Sequence, residues 1–287
     1  NVPNGNHTVT VELGDATAAS TSRVQSELFR ISVPQTQLAA GMFSKHTFSV
    51  NVRDERHDGY TAQGGILNLL IDGPAPRLRG LGVAPAPSAI TIFIASDSTA
   101  CDWDPQASNV SSTLQRGWGQ ELTQFLKPAV AVANYADSGE SSGGFYGKFW
   151  GPAKAALKMN DYVFIQFGHN DSSTGAAAYR TNLLRYINDA KAVGAIPVVF
   201  TPVSRKGSAT FNGLDGVART LAMEQNLTLI DLMALSRAHY DKQTNVVELF
   251  ASSSDGTHFS ELGATQIAKL VTDAIKATSL PLKAHIR

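Results

Sequence analysis

What this sequence lacks narrows its functions before any motif is read. It has a single cysteine, Cys101, which excludes an internal disulfide and any zinc site built from several cysteines. With no basic cluster around it, that thiol reads as a small buried hydrophobe and not as a reactive thiolate. No apolar stretch approaches the roughly 20 residues that span a bilayer, so the chain reads as soluble. An excess of one charge is missing too, since Lys+Arg and Asp+Glu both number 24 in 287 residues. A balanced surface without blocks of like charge offers no footprint for nucleic acid or an anionic membrane, and neither is expected as a partner. No export signal is visible, yet Asn1 to Asn6 has turn chemistry leading straight into a strand. An upstream strand and a removed signal are therefore expected, with a secreted or periplasmic location. Oligomeric state leaves no trace in the sequence.

What is present is a folded chain, 43% hydrophobic, with two different periodicities. Residues 1–85 alternate apolar and polar positions in Val9/Val11/Leu13, Phe29/Ile31/Val33 and Phe48/Val50/Val52, with a further apolar run at Ile66 to Ile71. That pattern predicts an N-terminal antiparallel β-sandwich. Gly82 to Ser88 contains Pro85 and Pro87 and reads as a stiff linker and domain boundary. From 89 to 287 apolar runs at Ile90–Ala95, Ala129–Asn134, Tyr162–Phe167, Ile196–Thr201 and Leu227–Ile230 alternate with amphipathic segments. Two of those segments are predicted helices, Tyr179–Val193 and a last one from about Glu261. Alternation of this kind predicts a parallel sheet with helices on both faces, whose site lies at the carboxyl ends of the strands.

Four polar blocks fall where that rule points. Ser96-Asp97-Ser98 follows the first strand, Asp137-Ser138-Gly139 the second and Gly168-His169-Asn170-Asp171 the third, while Asp255-Gly256-Thr257-His258 precedes the last helix. Acyl transfer needs a nucleophile, a base, a group that fixes the base's tautomer, and donors for the developing oxyanion. Ser98, His258 and Asp255 can fill the first three roles in that order. The backbone N–H groups of Ser98 and Gly139 with the Asn170 side chain can form the oxyanion hole. Asp97 is expected to brace the turn by hydrogen bonds.

The four ordered blocks resemble the SGNH, or GDSL-type, hydrolases over residues 90–275. More narrowly, the segments 133–142, 165–171 and 255–258 are similar to the rhamnogalacturonan acetylesterase family. The resemblance implies a flavodoxin-like three-layer αβα domain, no cofactor or metal, and an acetylated polysaccharide, pectin, as substrate. Acetylxylan esterases and arylesterases share the same fold and blocks, so they are the alternative reading. One position departs from the pattern: Ser96 stands where the family usually has glycine, and the departure disturbs the nucleophile's turn only if that position requires positive φ.

Rival readings attach to the same residues. Gly139-Glu140-Ser141-Ser142-Gly143 fits a G-x-S-x-G nucleophile elbow. Tyr135 to Ser138 separate it from the strand and Gly143-Gly144 make a poor helix start, so Ser141 is not expected to be the nucleophile. His169 is assigned to structure, while Trp118, Trp150, Phe145 and Tyr146 are either core or the lining of a sugar groove. A carbohydrate-binding protein with a decayed catalytic set is the hypothesis of another class.

Overall fold

Alternating residues in the N-terminal third place their apolar side chains on one face of each of two sheets. The computed structural model describes residues 1–57, 60–62, 65–106, 114–207 and 210–287. Its first strands are β1 (Gly5–Gly14), β2 (Ser20–Ser26), β3 (Arg30–Leu38), β4 (Phe43–Val52), β5 (Glu55–His57), β6 (Tyr60–Ala62), β7 (Leu69–Ala75) and β8 (Leu78–Pro85). They form two three-stranded antiparallel sheets, ordered β4-β1-β8 and β3-β2-β7, and the small ribbon β5-β6. Val9, Val11 and Leu13 of β1 and Phe48, Val50 and Val52 of β4 pack with Val24 and Val33 of the other sheet in one buried cluster. The pleat explains this, because every second residue of a strand shares a face.

Three expectations need correction here. Phe29 lies in the β2–β3 turn with φ +52° at Glu27 and +55° at Phe29 itself, outside the strand assigned to it. The run from Ile66 enters β7 only at Leu69. The expected linker is half strand, since Gly82, Val83, Ala84 and Pro85 pair with Thr10, Val9, Thr8 and His7 of β1. An edge strand tolerates the proline, and its exposed face removes the alternation that would have announced it.

The remaining strands, β9 (Ile90–Ala95), β10 (Val130–Asn134), β11 (Tyr162–Ile165), β12 (Ile196–Phe200) and β13 (Thr228–Ile230), form a parallel sheet ordered β10-β9-β11-β12-β13. This is the flavodoxin-like order, in which the chain reverses direction across the sheet beside the first strand. Its helices are α1 (Trp118–Glu121), α2 (Ser142–Lys148), α3 (Trp150–Ala156), α4 (Ala176–Ala192), α5 (Leu214–Glu224), α6 (Leu232–Tyr240) and α7 (Glu261–Lys276). Both faces of the sheet are covered. Ile92 and Ile94 of β9 pack in one core with Ile267 and Val271 of α7, whereas Phe93 and Ala95 point into the other with Leu183 and Ile187 of α4. The switch point therefore lies between β9 and β11, with the loops after these two strands on either side of it and the loop after β10 next to that of β9. No helix of the described residues is long and apolar enough to cross a membrane.

Candidate active site

Strand β9 ends at Ala95, and the next residues form a tight turn that presents Ser98. Asp97, fully buried, sets that turn. One carboxylate oxygen accepts from the Thr99 backbone N–H at 3.0 Å and the Thr99 hydroxyl at 2.7 Å, and the other lies 3.3 Å from His169 Nδ1. Burial pushes its carboxyl up, but the His169 imidazole and the Thr99 donors outweigh burial and hold it below the usual carboxylate range. Ser96 has no positive φ, so the turn forms without the glycine. Its hydroxyl is buried and has no hydrogen-bond partner among the described residues.

Asp255 and His258 lie in the loop that enters α7, a helix capped by Ser260, whose hydroxyl accepts from Gly263 N–H at 3.2 Å. His258 Nε2 is 3.0 Å from Ser98 Oγ, and His258 Nδ1 is 2.9 Å from Asp255 Oδ2. The second Asp255 oxygen accepts the backbone N–H groups of Thr257 at 2.7 Å and His258 at 2.9 Å, an arrangement that fixes carboxylate and imidazole together. Burial raises the Asp255 pKa, but these N–H donors and the imidazole more than offset it, leaving the carboxyl below its ordinary value. Ser98 is only 5% exposed. A cleft of about 600 Å³, walled by Leu114, Gln115 and the loop from Ala251 to His258, opens on the Asp255 side.

Gly139 follows β10 with φ +75° and open space where a Cβ would sit. Among the described residues neither its backbone N–H nor that of Ser98 donates to a protein acceptor. The Asn170 side chain donates to Glu140 O at 3.1 Å, which ties the loop after β11 to the loop carrying Gly139 and leaves its second N–H for another acceptor.

The site also contains a residue that the sequence did not announce. The Trp103 indole N–H donates to Ser98 O at 3.0 Å, and its ring stands nearly perpendicular to that of His258 with centroids 5.6 Å apart. A tryptophan shortly after the nucleophile was the only available signal. The proposed groove aromatics are elsewhere: Trp118, Trp150 and Phe145 are at most 1% exposed and belong to the core, while Tyr146 packs on Tyr186 and donates to Asp189 at 2.9 Å. Ser141 caps α2, accepting from Gly144 N–H at 3.2 Å. The glycines thus do start a helix, contrary to expectation, because Ser141 supplies a cap to its first turn. Residues 135–140, irregular in structure, still separate Ser141 from the end of β10 at Asn134, so no elbow forms.

This fold and these blocks define a class: the chain belongs to the GDSL-like lipase/acylhydrolase family, whose pattern matches residues 97–266. Within it the chain is 32% identical over 224 residues to the rhamnogalacturonan acetylesterase RhgT of Bacillus subtilis, covering 69% of this chain and 94% of that protein. It is 34% identical over 217 residues to the probable rhamnogalacturonan acetylesterase YesY of the same organism, covering 68% and 96%. Among solved structures, protein YXIM from Bacillus subtilis is similar at a TM-score of 0.61 and 25% identity, covering 98% of this chain and 80% of that one. The acetylxylan esterase Axe2 from Geobacillus stearothermophilus shares the fold at a TM-score of 0.52 and 18% identity, covering 68% and 95%.

Proposed function

We propose that this chain is a serine esterase that removes O-acetyl groups from plant cell-wall polysaccharide, rhamnogalacturonan in pectin above all. The observation that carries the reading is the relay from Ser98 Oγ to His258 Nε2 at 3.0 Å and from His258 Nδ1 to Asp255 at 2.9 Å. Ser98 attacks the acetyl carbonyl while His258 takes its proton, and Asp255 holds the imidazole in the tautomer that leaves Nε2 free to accept. The oxyanion is met by the N–H groups of Ser98 and Gly139 and by the Asn170 amide. The imidazolium then protonates the departing sugar oxygen, and water, activated by the same imidazole, releases acetate from Ser98. No metal or cofactor enters this sequence of steps.

The rhamnogalacturonan preference is supported by two relatives of that description, each matched over nearly its whole length. Residues 1–85 serve as an accessory β-sandwich in front of a catalytic domain at 89–287, and the enzyme works outside the cytoplasm, where its substrate is. Acetate release from acetylated rhamnogalacturonan, homogalacturonan and xylan tests the reading. Fastest release from the first supports it, and faster release from xylan replaces the substrate but keeps the chemistry. No acetate from any of them leaves the decayed binding protein as the better account.

A further inference from the structure

Two arginines of the N-terminal sheets are buried, and both are aimed at the loops that carry the active site. Arg30, the first residue of β3, grips Asp102 Oδ2 with Nε at 2.9 Å and a terminal nitrogen at 2.5 Å. The pair is sealed from solvent, with side-chain exposures of 2% and 0%. Asp102 Oδ1 accepts from the Asn134 side chain at 2.8 Å, and the same Asn134 amide also donates to Ala100 O at 2.8 Å. Arg53, just after β4, donates to Asn134 O at 2.5 Å and lies 4.4 Å from the centroid of the Tyr135 ring. The strand ends of β9 and β10 are thus held by one charged network that the N-terminal sheets supply.

The network reaches the reacting groups through Trp103. Gln120 donates to Trp103 O at 2.9 Å and to Leu28 O at 2.8 Å, and its side-chain oxygen accepts from Trp103 N–H at 3.3 Å. The Trp103 backbone is therefore fixed on both sides, with Asp102 anchored to Arg30 immediately before it. Its indole in turn holds Ser98 O at 3.0 Å and borders His258. A planar guanidinium on a buried carboxylate is a rigid joint, and in that buried setting neither partner has bulk water to fall back on.

We infer that Arg30 is a positioning residue of the active site. Acting through Asp102 and Trp103, it sets the distance between Ser98 and His258, so the N-terminal sheets complete the catalytic loop and are more than a detachable polysaccharide-binding unit. The inference rests on the reading of Ser98 as nucleophile. Because nucleophile and base must be aligned to within a fraction of an ångström for proton transfer, slack in this joint lowers turnover and leaves substrate binding almost untouched.

The test uses the full chain, p-nitrophenyl acetate as substrate and a reactive fluorophosphonate as a probe of Ser98. Arg30→Met alone strands the Asp102 charge and can fail to fold, so the deciding variant is Arg30→Met with Asp102→Asn, which neutralises both partners. Circular dichroism and size-exclusion chromatography check its fold. The expected result is a kcat lower by about 10- to 100-fold, KM nearly unchanged and fluorophosphonate labelling slowed in parallel. Arg30→Lys, which keeps the charge but loses the fork, is expected to fall between that variant and wild type, and it decides the question should the neutral pair not fold. Wild-type kcat in the folded variants, or a raised KM with kcat unchanged, overturns the inference. Ser98→Ala separates the two claims: if it stays active, the reading of Ser98 as nucleophile falls, whereas an inactive Ser98→Ala beside unimpaired Arg30 variants removes only the positioning role.

Discussion

His258 Nε2 lies 3.0 Å from Ser98 Oγ although 160 residues separate them in the chain. The sheet makes the meeting possible: β9 delivers Ser98 at its carboxyl end, and α7 packs beneath β9 so that the loop entering the helix rises to the same edge. Each consequence of that meeting can be measured.

Asp255 is paired with His258 Nδ1 and is held ionised by two backbone N–H groups. Asp255→Asn presents an amide N–H where the carboxylate accepted the hydrogen bond from His258 Nδ1–H, so the imidazole turns to the wrong tautomer. The expected loss in kcat is up to ~10⁴-fold with KM little changed. Steady-state kinetics on p-nitrophenyl acetate check it, and full-rate turnover removes Asp255 from the proposed relay.

Asn170 is expected to matter only when charge develops on the substrate oxygen. Asn170→Ala should lower kcat by about 10²- to 10³-fold while an unreactive acetamide analogue binds as before. Weaker binding of the analogue with kcat preserved would instead make Asn170 a ground-state contact.

Ser96 supplies a stability prediction. Its buried hydroxyl has no partner among the described residues, and an unsatisfied hydroxyl is destabilising by about 1–3 kcal/mol. Ser96→Ala removes the hydroxyl, and since this position has no positive φ the alanine backbone is unstrained. The variant should unfold at a higher urea midpoint than wild type with kcat retained. A lower midpoint contradicts the assignment.

Glu121 gives the chain a pH dependence. Burial, and then the nearby Glu261 carboxylate, push its carboxyl from the usual 4.5 up to about 8. The folded state therefore keeps a proton that the unfolded chain releases above about 4.5. This contribution to stability is complete below that pH and is lost as pH climbs toward 8. Glu121→Gln should flatten the decline, so its urea midpoint exceeds that of wild type at pH 9 and approaches it at pH 5. Parallel curves for the two proteins over this range contradict the assignment.

Sequence legibility followed chemical contrast. Strand β9 was readable to its ends, Ile90 and Ala95, because every residue between them is apolar or β-branched and buried on both faces. Strand β2 was missed because its buried positions include Ser22, Gln25 and Ser26, polar residues that leave no alternation to detect. The four blocks pointed to Ser98, Gly139, Asn170, Asp255 and His258 as the candidate site because each follows a strand or precedes a helix. Trp103 and the Arg30–Asp102 pair were illegible for a different reason. A salt bridge across 72 residues has no local signature, and a lone tryptophan looks the same in sequence whether it fills a core or borders an imidazole.

The most direct measurement is rapid-quench mass spectrometry of the enzyme during turnover of p-nitrophenyl acetate, with the peptides mapped. The account predicts an acetyl group on the peptide carrying Ser98, formed and consumed at rates that match kcat, and absent in Ser98→Ala, which releases no acetate. An acetyl group on Ser141 instead, or undiminished turnover by Ser98→Ala, contradicts it.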